Sequence, residues 1–248
     1  MNRKATDTDT KGKLKLGPGD WVHTIARAGL SAIPVVGGPA AEIFSAVIVP
    51  PLSKRRDKWL ESIAEGLKTL EKKVDNFNIE DLSQNEVFIT IVMHASQAAV
   101  RNHQKEKIEA LRNAVLNAAL SNVPEEDIQL MFLNFIDTFT PWHLRILKFL
   151  ENPREYGKKR GIEYPHWFIG STATVLEYTF PELKESEERV DFYSHIVKDL
   201  YVRGLVNTDS LTGMESAQGM FEPRITGMGR QFITFITSPI EIDDVEQE

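Results

Sequence analysis

The chain has 248 residues, 42% of them apolar and 26% charged, which is typical of a globular protein with a sizeable core. Its net charge of -7 argues against a dominant non-specific hold on nucleic acid, which needs a basic surface. The chain contains no cysteine, so disulfides, thiolate metal sites and cysteine nucleophiles are excluded, and the composition fits a reducing cytoplasm.

The first part of the chain, residues 1–18, is predicted to be a disordered basic N-terminus, because it is mostly polar and carries several lysines. No secretory signal is expected, since the apolar run that follows begins too late and lacks a convincing cleavage site. Residues 19–139 are predicted to form a helical domain with three parts, namely an apolar hairpin, a long amphipathic helix and a set of shorter helices.

The apolar helical hairpin is predicted over residues 20–52. Pro34, the Gly37–Gly38 pair and Pro50–Pro51 divide it into pieces shorter than the roughly 20 residues that a membrane-spanning helix needs. Glu42 is its one charged residue after position 33. Three partners could cover the apolar face of the hairpin: the helix that follows, a second copy of the chain, or lipid. The residues predicted to contact a partner or a membrane are Ile33, Val35, Val36, Gly37, Gly38, Ile43, Phe44, Val47 and Ile48.

The strongest amphipathic helix is predicted over residues 53–75, with Ser53 as its cap. Apolar residues recur there every three or four positions, which predicts one buried face and a packing partner for it. The members of this stripe are Trp59, Ile63, Leu67, Leu70 and Val74. The cations at the start of the helix suit an anionic membrane surface. They are Lys54, Arg55 and Arg56.

Shorter helices are predicted over residues 84–138. Ser83 and Glu86 fit a capping box that opens the first of them. A second runs from Lys105 to Leu120, and a third follows Pro124, where acidic residues in the first turn complement the helix dipole.

Residues 140–238 are predicted to form a winged-helix-like α+β domain, followed by an acidic tail at 239–248. Thr140–Pro141 fits the cap and first position of a helix. A loop is predicted from Asn152 to Pro165. Two further helices then follow, near residues 171–180 and 185–203.

Two short strands and a last helix complete the predicted domain. The strands are Leu205–Val206 and Arg224–Thr226, and a turn at Gly227–Gly229 leads into a helix from Arg230 to Ile236. Three helices, a two-stranded wing and a trailing helix resemble the winged-helix arrangement.

Two uses of this domain stay open, DNA recognition and protein contact. In winged-helix DNA readers the third helix enters the major groove, whereas here four acids fall in its first residues, from Glu185 to Asp191. The candidate nucleic-acid contacts are Lys198, Arg203, Arg224 and Arg230, with further cations in the loop at Lys158, Lys159 and Arg160.

The sequence carries no motif of a hydrolase, kinase, nucleotide-binding loop or metalloprotease. No two of its six histidines lie three or four residues apart, so no local metal pair is predicted. His94 is predicted to be a core histidine on an apolar helix face. No catalytic residue, cofactor or metal is therefore predicted, and an enzyme with a site assembled from distant parts is the least favoured class.

The order of these segments resembles a known bacterial group. IPVVGGPAAEIF is followed by KRRDKWLESIAEGLKTLEKKV, then by HQKEKIEALRNAVLNAAL and FIDTFTPWHLRILKFLENP. This series is similar to the abortive-infection alpha proteins. The resemblance implies a cytoplasmic bacterial or phage-related protein in phage defence, and it brings no catalytic residues with it.

The sequence as a whole predicts a mainly α protein, with an N-terminal helical bundle and a C-terminal winged-helix-like domain. We expect a non-enzymatic effector that acts through its apolar hairpin on a protein partner, a second copy or a membrane. The alternative is a winged-helix transcriptional regulator that binds DNA and oligomerises through its helical domain.

Overall fold

The computed structural model describes residues 49–184 and 186–240, and this part of the chain is mainly helical. The first helix, α1, spans Val49–Lys73. The predictions that Pro50–Pro51 end a helix and that Ser53 caps the next one are therefore wrong, as is the hairpin boundary at residue 52. Both prolines lie in the first turn of α1, where a backbone N–H has no partner within the helix to lose.

The apolar stripe of α1 is buried, as predicted. Trp59, Ile63, Leu67 and Leu70 are at most 3% exposed, and Val74 packs against the same core. The stripe is covered by α2 (Glu86–Arg101) and α3 (Lys105–Ala118), the helices that pack on α1.

The predicted capping box of Ser83 and Glu86 is wrong. Ser83 lies in a 3-10 helix, Ile79–Gln84, and its hydroxyl donates to the carbonyl of Glu80 at 2.7 Å. Asn85 caps α2 instead, because its side-chain oxygen accepts the backbone N–H of Phe88 at 3.0 Å.

The middle of the chain contains α4 (Glu126–Thr138), α5 (Pro141–Glu151) and α6 (Pro153–Lys158). The start predicted for α5 is confirmed, with Thr140 at the cap and Pro141 as the first residue. The loop predicted from Asn152 is wrong in its first half, which forms α6. Asn152 caps this short helix by accepting the N–H of Glu155 at 3.1 Å.

The two helices predicted next are present as α7 (Thr172–Thr179) and α8 (Glu187–Val202), with the 3-10 helix Pro181–Leu183 between them. The two-stranded sheet is formed by segments that were not predicted as strands. In it β1 (Ile169–Gly170) pairs antiparallel with β2 (Glu215–Ser216), with Ile169 opposite Ser216.

The strands predicted at Leu205–Val206 and Arg224–Thr226 meet only in a single antiparallel bridge, Val206 to Ile225. A 3-10 helix, Gly219–Phe221, lies between β2 and this bridge.

The last helix, α9 (Gly227–Ile236), begins three residues earlier than predicted. The predicted turn Gly227–Gly229 is its first turn, because the hydroxyl of Thr226 accepts the N–H of Gly229 at 2.9 Å.

One hydrophobic core runs through the described residues and crosses the boundary predicted at 139/140. Phe132 on α4 meets Phe232 on α9 edge to face, with ring centroids 5.1 Å apart. Since α9 also packs on α3, the C-terminal helix contacts the predicted helical domain of residues 19–139.

Candidate functional site

The start of α1 carries a compact group of cations. Lys54 and Arg55 are exposed, and Arg56 is half-buried and pairs with Asp57 at 3.1 Å. With Lys58, residues 54–58 hold four cations and one acid, a net charge of +3 in a chain of net charge -7. The structure thus places the predicted anionic-surface residues together, within about 14 Å of helix rise from Val49.

The nine hairpin residues predicted to contact a partner or lipid all precede position 49, so they lie outside the described residues. Within the described ranges, no helix is both long enough and apolar enough to cross a membrane.

The four predicted nucleic-acid residues divide into two pairs. Lys198 and Arg230 are exposed. Arg203 and Arg224 form internal ion pairs with carboxylates of α8 and β2, respectively. Arg203 also lies over the ring of Phe139, 5.1 Å from its centroid.

The exposed start of α8 carries the acids Glu187, Glu188 and Asp191.

Large apolar side chains are exposed in and next to the two-stranded sheet. Phe168, next to β1, is 92% exposed, and Ile169 in β1 is 63% exposed. Met214, next to β2, is 69% exposed.

A buried histidine joins α5 to α8. Nδ1 of His143 accepts the backbone N–H of Thr140 at 3.1 Å, so the ring proton lies on Nε2, 3.3 Å from Oδ2 of Asp199. Burial lowers the pKa of His143, outweighing the opposing effect of Asp199. The contact with Asp199 is therefore a hydrogen bond from a neutral imidazole. His94, in contrast, is exposed, so its prediction as a core histidine is wrong.

A groove lies where α3, α5, α6 and the end of α9 meet. It consists of two cavities of about 360 and 300 Å³, which adjoin because Lys148, Tyr156 and Arg160 line both. These volumes lie at the lower end of the range for small-molecule sites.

The rim of this groove is cationic. Lys148, Lys159 and Arg160 are exposed, and none of them forms an ion pair with a carboxylate of the described chain. The guanidinium of Arg160 lies 3.6 Å from the ring centroid of Tyr156, a cation–π contact that fixes its position. Burial raises the pKa of Tyr156, so its hydroxyl is neutral.

The first cavity also contains acidic side chains. Glu106 pairs with Arg145, and the hydrogen bond from that guanidinium lowers the pKa of Glu106. Glu109 and Glu182 also line this cavity and are exposed. The lining thus presents carboxylate acceptors beside the cationic rim.

Asn113 of α3 forms part of the wall of the first cavity, next to α9. It is 4% exposed, and its Nδ2 donates to the carbonyl of Ile236 at 3.0 Å. Its Oδ1 accepts no hydrogen bond within the described structure. A buried carbonyl oxygen without a donor lowers the folding stability by about 1–3 kcal/mol. Such unsatisfied groups are uncommon in folded proteins.

No protein-family model, curated protein or solved structure matches this chain. The resemblance to the abortive-infection alpha proteins stays a prediction.

Proposed function

We propose that this protein is a non-enzymatic effector that binds an anionic membrane surface through its N-terminal apolar segment and the basic start of α1. The observation that carries the proposal is the net charge of +3 over residues 54–58, directly after the apolar run. Cations next to an apolar segment are the pattern of a surface that contacts anionic lipid. The resemblance to abortive-infection proteins adds a role in phage defence.

Two considerations favour lipid over the other two covers. Within the described residues, the α1 stripe already packs against α2 and α3, so its side chains have protein partners there. A symmetric contact between two copies would bring their cationic groups close together and be opposed by charge repulsion. An anionic surface attracts the same cations, by about 1 kcal/mol for each one near the membrane.

Co-sedimentation with vesicles tests this proposal. We expect the protein to bind vesicles that contain phosphatidylserine and to bind pure phosphatidylcholine weakly. The double variant Lys54→Glu/Arg55→Glu should lose binding. Its matched control, Lys68→Glu/Lys72→Glu, reverses two exposed lysines further along the same helix and should keep it. Equal binding by the two double variants would refute the role of the basic start.

Leakage of a trapped dye tests insertion as distinct from surface binding. We expect Glu42→Lys to suppress leakage, since it adds a cation within the apolar segment. Retained leakage in this variant would count heavily against insertion of the segment.

A second candidate function is a winged-helix regulator that binds DNA and oligomerises through its helical half. The order of α5, α7 and α8, then the bridge from Val206 to Ile225, then α9, favours it. It predicts salt-dependent binding of duplex DNA that weakens in Lys198→Gln and Arg230→Gln. Absence of binding at low salt would exclude it, and the exposed apolar side chains at the sheet favour protein contact instead.

A further inference from the structure

We propose that the groove between α3, α5, α6 and α9 binds a phosphorylated small molecule of the nucleotide class. Its phosphate would lie at the cationic rim, and its sugar and base would enter the first cavity. This proposal rests on the groove alone and is independent of the membrane-binding proposal.

The cationic rim identifies the charged end of the ligand. Lys148 and Arg160 line both cavities, so they stand at the junction of the two, and Lys159 lines the second cavity beside them. Five arginines of the described chain pair with carboxylates, whereas these three cations form no such ion pair there. Arg160 is held by the ring of Tyr156, which reduces the freedom it would lose on binding. A fixed guanidinium beside a lysine suits a phosphate group.

The first cavity identifies the other end of the ligand. Besides its cations it presents acceptors, namely the exposed carboxylates of Glu109 and Glu182. Acceptors select for N–H and O–H donors, which sugar hydroxyls and the amino groups of bases supply. Oδ1 of Asn113 also has no donor among the described groups, but it is buried in the wall, so the two carboxylates are the acceptors open to a ligand.

Apolar side chains provide the remaining surface for a flat ring. Leu144, Phe180 and Ile236 line the same cavity as the acceptors. A volume of about 360 Å³ is suited to one sugar and one base.

The acids in the lining argue against a nucleic-acid strand as the ligand. Glu109 and Glu182 in the first cavity, and Glu151 and Glu155 in the second, would repel successive phosphates of a polymer. A ligand with its negative charge confined to one end can place that charge at the three cations of the rim and its neutral end beside the carboxylates.

Titration calorimetry on the full chain with AMP, inorganic phosphate and adenosine as separate probes tests the proposal. We expect AMP to bind more tightly than phosphate and more tightly than adenosine, because both ends of the ligand contribute. Equal binding of AMP and inorganic phosphate would overturn the nucleotide class, and the absence of AMP binding would overturn the site.

Variants of the rim locate the phosphate. We expect Lys148→Ala and Arg160→Ala to weaken AMP binding by about tenfold or more, the loss of a charge-assisted hydrogen bond. Lys148→Arg should restore part of the affinity. The matched control is Lys158→Ala, which removes an exposed cation that lines neither cavity and should leave the affinity unchanged.

Two further comparisons keep the result specific. Because Lys148 is exposed, Lys148→Ala should unfold at the wild-type temperature, so that lost binding reports the groove rather than the fold. The variant Lys54→Glu/Arg55→Glu should bind AMP like the wild type, which separates this site from the membrane surface. Equal affinity in Lys148→Ala and Lys158→Ala would contradict the placement of the phosphate.

Discussion

The side-chain amide of Asn117 on α3 donates to the carbonyl of Phe235 on α9 at 2.9 Å, and it lies 2.8 Å from the carbonyl oxygen of Thr237. The last carbonyls of a helix have no partner within that helix. Asn117 therefore caps α9 from a different helix, more than a hundred residues earlier in the chain. With Asn113, which bonds the carbonyl of Ile236, it joins the helical half to the C-terminal helix.

We predict that Asn117→Asp lowers the free energy of unfolding by about 1–3 kcal/mol. The substitution keeps the shape of the side chain, but it removes the donor and places a carboxylate against the negative end of α9. Urea unfolding monitored by tryptophan fluorescence measures the change. The control is Asn134→Asp on the exposed side of α4, which should shift stability by less than about 0.5 kcal/mol. Equal losses in the two variants would contradict the capping role.

Gly229 in the first turn of α9 is predicted to tolerate no side chain. A Cβ there would lie 2.1 Å from the carbonyl oxygen of Leu205 and 2.6 Å from a side-chain carbon of Ile225. We expect Gly229→Ala to lower the free energy of unfolding by about 1–3 kcal/mol, because backbone as well as side-chain atoms must move.

Gly227, two residues earlier in the same helix, is the matched control for Gly229. A Cβ on Gly227 has open space around it. We expect Gly227→Ala to be neutral or to stabilise by up to about 1 kcal/mol, since alanine favours the helix and restricts the unfolded chain. Thermal unfolding of both variants decides the point, and a Gly229→Ala protein as stable as Gly227→Ala would show that α9 does not approach Leu205 this closely.

Acid is predicted to destabilise the protein through His143. Burial holds the pKa of His143 below its usual value of 6.5, so in moderate acid the unfolded chain takes up a proton that the folded chain does not. The contribution to stability is complete above pH 6.5 and falls as the pH drops from there through the lower pKa of the folded state. Protonation would also oppose the hydrogen bond from Thr140 to Nδ1.

Denaturant unfolding between about pH 5 and 8 measures this dependence. We expect His143→Phe, which retains an aromatic ring beside Phe139, to be less stable at neutral pH and to lose less stability on acidification. His103→Gln changes an exposed histidine and should leave the pH profile as it is in the wild type. A profile unaltered by His143→Phe would remove His143 as the source of acid sensitivity.

Local signals in the sequence predicted the helices well where a cap and a periodic face agreed. Thr140–Pro141 opens α5 as predicted, and the helix predicted near residues 171–180 is present as α7. The prediction was wrong where the same residues are compatible with two structures. Pro50–Pro51 can follow the end of one helix or lie in the first turn of another, and in the structure they lie in the first turn of α1.

The groove could not be predicted from the sequence, because its walls come from segments that lie far apart in the chain. Lys158, Lys159 and Arg160 were recognised as a basic run, but nothing local shows that α3 and the end of α9 lie opposite them. Tyr156 lies on α6 and Asn113 on α3, and the packing of α5 and α9 on α3 brings these two residues to the same groove. The short sheet was missed for a related reason, since a two-residue strand such as β1 carries no alternation.

The most direct test of the membrane-binding proposal is the environment of the apolar segment itself when vesicles are present. Since the chain has no cysteine, a single introduced cysteine can carry a polarity-sensitive dye at one chosen position. Val47→Cys labels the apolar segment, and Lys68→Cys labels an exposed position on α1 as the control.

With phosphatidylserine vesicles, we expect a blue-shifted and brighter dye at position 47 and no change at position 68. Unchanged emission at position 47, in a sample whose protein sediments with the vesicles, would contradict it.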